Sequence, residues 1–426
     1  MKWKIPLYKV DWNQEDIRLV TNVIKRGMDW AIGPEIEEFE KLLANYHESK
    51  YCVTFNSGTS AGHAALLSLN LKPSSEVIIP SFTFISTANW PLMVGANPIF
   101  SEIEEETLGM DSSNLNSIIS KKSKVIMPIH YGGNPCKITE IKRFAKEQKL
   151  TLIEDCAESI GATIGKRKTG TYGDLSILSF AGNKVLTTGE GGAIITNSKQ
   201  IYEKLKLIRS HGRQINSNYF QTNETPNYVS LGYNWRMSSM TAALGISQLK
   251  KIEKLISKRR KNANYLSSKL KKHSEIILPS DYKNHKNVFQ LYSIRITGKN
   301  LRNNLMKFLK KQGIMSKIFF EPAHLTKFNS KNIIDTDLGL DFIDMGTFST
   351  GQQLDIKTNV LGFNNLKNIR NMINESIADI EILLQAKETE LSNFIASFKV
   401  SGTTNQFDIL TLELQIARYK LGDDYN

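Results

Sequence analysis

The stretch Ser179-Phe-Ala-Gly-Asn-Lys-Val-Leu-Thr-Thr-Gly-Glu-Gly-Gly192 decides the reading of this chain. A short apolar run ends at Phe180, a glycine-rich turn follows, and Lys184 stands inside that turn. A lysine in a turn is ordinarily a solvated surface charge. A lysine flanked by Gly, Asn and Thr-Thr-Gly, with glycines to admit a flat ligand, is also a candidate for a Schiff base. On either side, Ser176–Phe180 and Ala193–Thr196 read as a close strand pair. Further out, Tyr51–Phe55, Val77–Ile79, Pro98–Ile103, Val125–Pro128 and Leu152–Glu154 are short apolar runs. Helical patterns such as 35–46 and Gly58–Leu69 lie between several of them. Strands alternating with helices predict an α/β domain with a mixed, mostly parallel sheet.

In such sheets the ligand crevice lies at the carboxyl ends of the strands, and three further turns fall there. Asn56-Ser-Gly-Thr-Ser-Ala61 joins a strand to a helix. Gly58 lets the backbone approach a ligand, and the helix N-terminus offers free N–H groups suited to a phosphate. Taken alone, the same residues read more readily as a plain polar helix cap. Asp155, in Ile153-Glu-Asp-Cys-Ala-Glu158, directly follows an apolar strand. A carboxylate there either caps a helix or holds the positive charge of a protonated ring nitrogen. Leu231-Gly-Tyr-Asn-Trp-Arg-Met237 brings Asn234 and Arg236, either for a phosphate or sugar or as a structural loop. Pyridoxal phosphate needs a lysine for its aldehyde, an acid at its ring nitrogen and a phosphate cup at a helix N-terminus. Phe84, in Pro80-Ser-Phe-Thr-Phe84, is the candidate ring-stacking aromatic, with a core aromatic as the plain alternative. His130 and His211 are left unassigned.

The C-terminal half reads as a smaller α+β domain. A long helical stretch over 240–274 precedes a strand (Val288–Ile296), a helix (Asn300–Gln312), a strand (Met315–Phe320) and a helix near 364–385. The expected division is 1–250 for the large cofactor-binding domain, with its N-terminal segment able to join the small one. Residues 251–390 form the small domain, and 391–426 an extra tail ending in an amphipathic helix near 407–420. The chain has 426 residues and a formal charge of +13. Residues 251–286 carry eleven basic and three acidic side chains, so most of the excess is one local patch. That patch reads as the solvated face of a helix, or as an aid in drawing in an anionic nucleotide substrate. Apolar residues at 40% argue against disorder. No run of 18 apolar residues offers a membrane span. Cys52, Cys136 and Cys156 have no metal-ligand spacing, so no metal is expected, and an odd count suits a reducing, cytoplasmic compartment.

Six segments, in order and spacing, resemble the DegT/StrS-type nucleotide-sugar aminotransferases of the aspartate aminotransferase fold (fold-type I). They are Gly33-Pro-Glu-Ile-Glu-Glu-Phe-Glu40, the Asn56–Ala61 loop, Pro80-Ser-Phe-Thr-Phe-Ile-Ser-Thr-Ala-Asn89, Glu154-Asp-Cys-Ala-Glu158, the Ser179–Gly192 stretch and Gly232-Tyr-Asn-Trp-Arg-Met237. The resemblance implies that Lys184 forms the Schiff base, Asp155 pairs with the pyridinium nitrogen and Glu158 lies near the ring hydroxyl. Gly58, Thr59 and Ser179 would hold the phosphate. Asn234 would reach the phosphate of a neighbouring subunit's cofactor, which implies a homodimer with shared active sites. Arg236 would serve the substrate, and His324, in Phe320-Glu-Pro-Ala-His324, would contact the sugar.

The implied reaction moves an amino group from L-glutamate, released as 2-oxoglutarate, to a keto group of a nucleotide-linked keto-deoxy sugar. Pyridoxal 5'-phosphate would alternate with pyridoxamine 5'-phosphate. The form Gly-Asn-Lys-x-x-Thr-Thr-Gly-Glu-Gly-Gly resembles perosamine synthases, which aminate carbon 4, and implies a place in lipopolysaccharide or other surface glycan synthesis. Relatives with histidine in place of the lysine are dehydratases, so an intact Lys184 favours transamination. A DNA-binding regulator on the same fold is the alternative of another class. No helix-turn-helix segment is attached, so neither nucleic acid nor membrane is an expected partner.

Overall fold

Seven strands form the central sheet, in the order β1 (Tyr51–Phe55), Gly192–Thr196, Leu175–Ser179, β5 (Thr151–Asp155), β4 (Ser123–Ile126), β2 (Glu76–Pro80) and β3 (Asn97–Ser101). Gly192–Thr196 runs antiparallel to both its neighbours, and every other adjacent pair is parallel. The expected mixed, mostly parallel sheet is therefore present. The computed structural model describes residues 3–214, 225–298 and 301–326, and the backbone of Leu410–Glu413.

The strands are near-continuous apolar runs because helices cover both faces. On one face, α2 (Pro34–Tyr46) packs Phe39 and Leu43, both fully buried, against Leu178, Ala193 and Ile195. Pro34 at the first helical position pre-sets the backbone for this helix. On the opposite face lie α3 (Gly58–Ser68) and α4 (Ile85–Met93). Burying one such aromatic or leucine side chain contributes on the order of 2 kcal/mol.

A second core gathers Ala263, Leu270, Phe289, Tyr292, Ile294 and Leu305, and Ile5 from the N-terminal segment packs on it. Ile5 also accepts the Met315 N–H at 2.9 Å. The helix Ile252–Leu270 links the two cores: Ile252, Leu255 and Ile256 belong to the first, Ala263 and Leu270 to the second.

Four expectations for this half need correction. The 240–274 helix is two helices, Ser239–Lys250 and Ile252–Leu270, broken at Lys251 (φ −108°, ψ 9°), whose ammonium is held by Asp16. The strand expected over Val288–Ile296 starts only at Ser293, because the backbone N–H groups of Val288 and Leu291 go to the carbonyls of Gly133 and Gly132. Met315–Phe320 is not a strand; its aromatic end turns into a cluster with Phe82 and Tyr131. Within the helix expected near 407–420, Leu410–Glu413 forms a strand antiparallel to Ser293–Ile296. Its Leu-Thr-Leu-Glu alternation has the period of a strand. The helix near 364–385 and the rest of the 391–426 tail lie outside the described residues.

Candidate active site

The site forms where β5, the strand Leu175–Ser179 and α3 meet. Asp155 is the last residue of β5 and is 2% exposed. Its Oδ2 accepts the Thr87 hydroxyl at 3.0 Å, and its Oδ1 accepts the Ala157 N–H at 3.1 Å. Burial pushes the carboxyl above its usual range, and the Ala157 N–H, the Thr87 hydroxyl and the Lys184 charge work against that push. Lys184 Nζ reaches Glu158 Oε1 at 3.2 Å, and Glu158 Oε2 accepts the Gly132 N–H at 2.9 Å. Two acids and one lysine thus converge in a nearly water-free corner, with Glu158 gripping the amine and Asp155 facing its charge.

The phosphate cup follows from helix capping. Ser57 is the N-cap of α3, and its hydroxyl takes the Ser60 N–H at 3.0 Å. Gly58 and Thr59, the first two helical residues, keep N–H groups that no turn of the helix can use. A Cβ on Gly58 would come 2.9 Å from Ser179 Cβ, and a Cβ on Gly192 would come 2.5 Å from the Ser57 carbonyl oxygen. Both positions demand glycine, because the loop lies directly on the strand end. An anion cradle at a helix N-terminus, a buried acid held by hydroxyl and N–H donors, and a lysine between them fit pyridoxal phosphate.

Phe84, the residue before α4, is 53% exposed, with its ring 6.0 Å from that of Phe320. One turn later on the same helix comes Thr87, which sequence reasoning missed. Its signal was available, since a threonine three residues after a candidate stacking aromatic lies near the same face of the helix. The 231–237 loop touches the cup through Asn56, whose N–H reaches the Trp235 carbonyl at 2.9 Å, and Asn234 is exposed. Arg236 lies further off. It donates to Ser210 Oγ at 3.2 Å, and burial, then the nearby Arg213 and Arg209, pull its pKa down. His324 is not brought to the lysine either; it is buried with its ring 5.7 Å from Phe100.

A second buried knot supports the first. Glu154 accepts N–H groups from Gly170, Tyr172 and Gly173 and faces His130 Nε2 at 3.1 Å. Burial pushes its carboxyl up, but these donors outweigh that and hold it below the usual range. His130 Nδ1 accepts the Cys136 N–H at 3.1 Å, which puts the ring proton on Nε2. With Cys156 these groups lie within 4.8 Å of one another. The oxygens of Glu154 are already taken by donors, so the set works as a hydrogen-bonded brace beneath Asp155.

Sequence also missed the support behind the lysine. Gln290 Nε2 donates to the Asn183 carbonyl at 2.7 Å, and Arg259 donates to the carbonyls of Phe289 and Gln290. Phe289 holds a left-handed φ of +48° at this crossing. No helix among the described residues is long and apolar enough to cross a membrane.

Such a sheet, with its lysine and aspartate at the strand ends, is that of a fold-type I aminotransferase. The chain belongs to the DegT/DnrJ/EryC1/StrS aminotransferase family, whose model matches residues 10–337. Family members depend on pyridoxal phosphate. The chain is 34% identical over 299 residues to the GDP-perosamine synthase of Caulobacter vibrioides, covering 69% of this chain and 78% of that protein. It is 32% identical over 351 residues to the GDP-perosamine synthase of Escherichia coli O157:H7, covering 81% and 93%. Among solved structures, Helicobacter pylori PseC, an aminotransferase involved in the biosynthesis of pseudoaminic acid, superposes with a TM-score of 0.72. It is 26% identical and covers 78% of this chain and 88% of its own.

Proposed function

We propose that this aminotransferase moves an amino group from L-glutamate to the carbon-4 keto group of a nucleotide-linked deoxy sugar, in the making of a surface polysaccharide. The observation that carries the reading is the Lys184–Glu158–Asp155 corner beside the Ser57–Thr59 cup. The two GDP-perosamine synthases support the sugar class and the carbon.

Pyridoxal phosphate, when bound, supplies an aldehyde that exchanges amines and a ring that takes up electrons. Ser57, Gly58, Thr59 and Ser179 would hold its phosphate, and Phe84 would cover one ring face. Asp155 keeps the ring nitrogen protonated: its buried carboxylate has hydroxyl and N–H donors but needs a cation. Lys184 would hold the aldehyde, and its Nζ, when free, would take and return the proton at the donor carbon. Glu158 steers that amine, and the Gly132 N–H fixes Glu158 in turn. Arg236 and His324 remain proposed substrate contacts.

The active unit we propose is a homodimer, in which Asn234 reaches the partner's phosphate. Supporting this, Leu231 is 79% exposed beside exposed Tyr228 and Val229, and Met28 and Trp30 are exposed on the segment whose Trp30 carbonyl accepts the Ser239 N–H. A cytoplasmic location fits three buried, free cysteines. The basic helix gives a DNA-binding role little support: Lys251 pairs with Asp16, Lys258 with Asp11 and Arg260 with Asp281, while Arg259 is spent on backbone carbonyls.

The test is a two-stage assay. Glutamate alone should bleach the yellow holoenzyme, and a keto-deoxy sugar nucleotide should then restore the colour while an amino sugar forms. A holoenzyme indifferent to glutamate and to every other amino donor overturns the reading.

A further inference from the structure

One short segment, Val288–Leu291, holds the Lys184–Glu158 pair from both sides. The Val288 and Leu291 N–H groups donate to the carbonyls of Gly133 and Gly132, each at 3.1 Å, and the Gly132 N–H in turn fixes Glu158. Between them Gln290, 0% exposed, sends its Nε2 to the Asn183 carbonyl at 2.7 Å, one residue before Lys184. The packing leaves no slack: a Cβ on Gly133 would come 2.9 Å from the Gln290 nitrogen. Acid and amine thus hang from one stretch of backbone.

That stretch is itself held from several directions. Val288 packs in the first core, Phe289 in the second, and Leu291 in the aromatic cluster with Phe82, Tyr131 and Phe320. Phe289 keeps its left-handed φ of +48°, a conformation that a bulky residue holds only where its surroundings impose it. From the helix Ile252–Leu270, Arg259 donates to the carbonyls of Phe289 and Gln290, at 3.3 and 3.1 Å, and Arg260 donates to that of Asn287. Asn287 Oδ1 takes the Phe289 N–H at 2.6 Å. A buried amide side chain on a loop carbonyl joins two parts of a fold wherever it occurs. Here its target is the residue before the Schiff-base lysine, where a displacement of about 1 Å can cost about a hundredfold in rate.

We infer that Gln290 is a positioning residue for Lys184, and that the Val288–Leu291 segment sets the distance between the amine and Glu158. Arg259 and Arg260 act one step further back, by fixing the segment. Loss of the Gln290 donor frees the Asn183–Lys184 peptide while Glu158 stays held through Gly132. The pair then loses its register, and the Ser57–Thr59 cup, built on another element, does not change. The inference rests on the proposed cofactor chemistry at Lys184.

Full-length apoprotein titrated with two probes tests it separately from turnover. Pyridoxal 5'-phosphate reads capture of the aldehyde by Lys184 through its absorbance. Pyridoxine 5'-phosphate, with the same ring and phosphate but no aldehyde, reads the cup alone. Gln290→Met, which keeps the length of the side chain and removes the donor, should weaken the aldehyde probe by about tenfold and leave pyridoxine 5'-phosphate within about twofold. The single-turnover rate at saturating glutamate should fall by about tenfold, with the half-saturating glutamate concentration unchanged within about twofold. Arg259→Met, at a half-buried position and with its apolar stem retained, should give the same pattern at roughly threefold to tenfold, and carries the test if Gln290→Met does not fold. Aldehyde capture and rate that both stay within about twofold of the parent overturn the inference. Equal losses for the two probes overturn it as well, since they mark a general collapse of the site. A parent protein that stays colourless with pyridoxal 5'-phosphate overturns the functional reading before any variant is compared, so the two failures are told apart.

Discussion

Gly192→Ala probes the phosphate cup without touching any group that does chemistry. Gly192 has an ordinary backbone conformation, so alanine meets no strain of its own there. The obstacle is space: the new Cβ would lie 2.5 Å from the Ser57 carbonyl oxygen and 2.6 Å from the Gly58 nitrogen. Ordinary contact begins near 3.4 Å, so the Ser57–Gly58 turn must retreat by about 1 Å. Gly192 is pinned on the other side, paired with Ser179 and with Phe55. Overpacking of this kind costs about 1–3 kcal/mol, or roughly 3–10 °C in Tm for a domain of this size. A 1 Å displacement of a binding turn can cost about a hundredfold. Two readouts are needed: thermal unfolding without cofactor, and pyridoxal phosphate affinity from absorbance titration. The expected result is a modest loss of Tm with affinity lowered by more than about tenfold. A variant that folds and binds the cofactor within twofold of the parent would refute the claim that this glycine shapes the cup.

Other outcomes follow from the same geometry. Asp155→Asn removes the charge that keeps the ring nitrogen protonated and should lower turnover by about a hundredfold or more, read as a single-turnover rate with glutamate. Thr87→Val strips one of the donors on Asp155, at 3.0 Å; an effect of roughly tenfold on the same rate is expected, and no effect would remove Thr87 from the site. Burial pushes both His47 and His324 down to about 4. The unfolded chain, with histidines near 6.5, then binds more protons than the folded one between these values. Stability should be complete above about pH 6.5 and fall progressively toward pH 4, by up to roughly 3 kcal/mol per histidine. Denaturant midpoints measured against pH check this, and His47→Gln should flatten the slope.

The chemistry-bearing turns were legible in sequence because each combines residue types that rarely serve packing. Lys184 among glycines, Asp155 at a strand end and Ser57-Gly58-Thr59 before a helix all announce themselves locally. What stayed hidden depends on chain crossings. Gln290 supports the lysine loop at Asn183 from 107 residues away, and nothing around it in sequence says so. The basic helix looked like one charged face, yet Asp11 and Asp16 of the N-terminal segment and Asp281 beyond the helix end pair with three of its cations. Val288–Leu291 has the composition of a strand, but its N–H groups find the Gly132–Gly133 turn first. In the Phe320–His324 turn the histidine drew attention, whereas Phe320 joins Phe82, Phe84 and Tyr131 beside the site.

The central claim is that Lys184 carries the cofactor. Borohydride reduction of the holoenzyme followed by peptide mass mapping tests it most directly. The account predicts one pyridoxyl adduct, on Lys184, that fails to form once glutamate has bleached the enzyme. An adduct on a different lysine, or a Lys184→Ala protein that keeps its yellow absorbance and turnover, would contradict it.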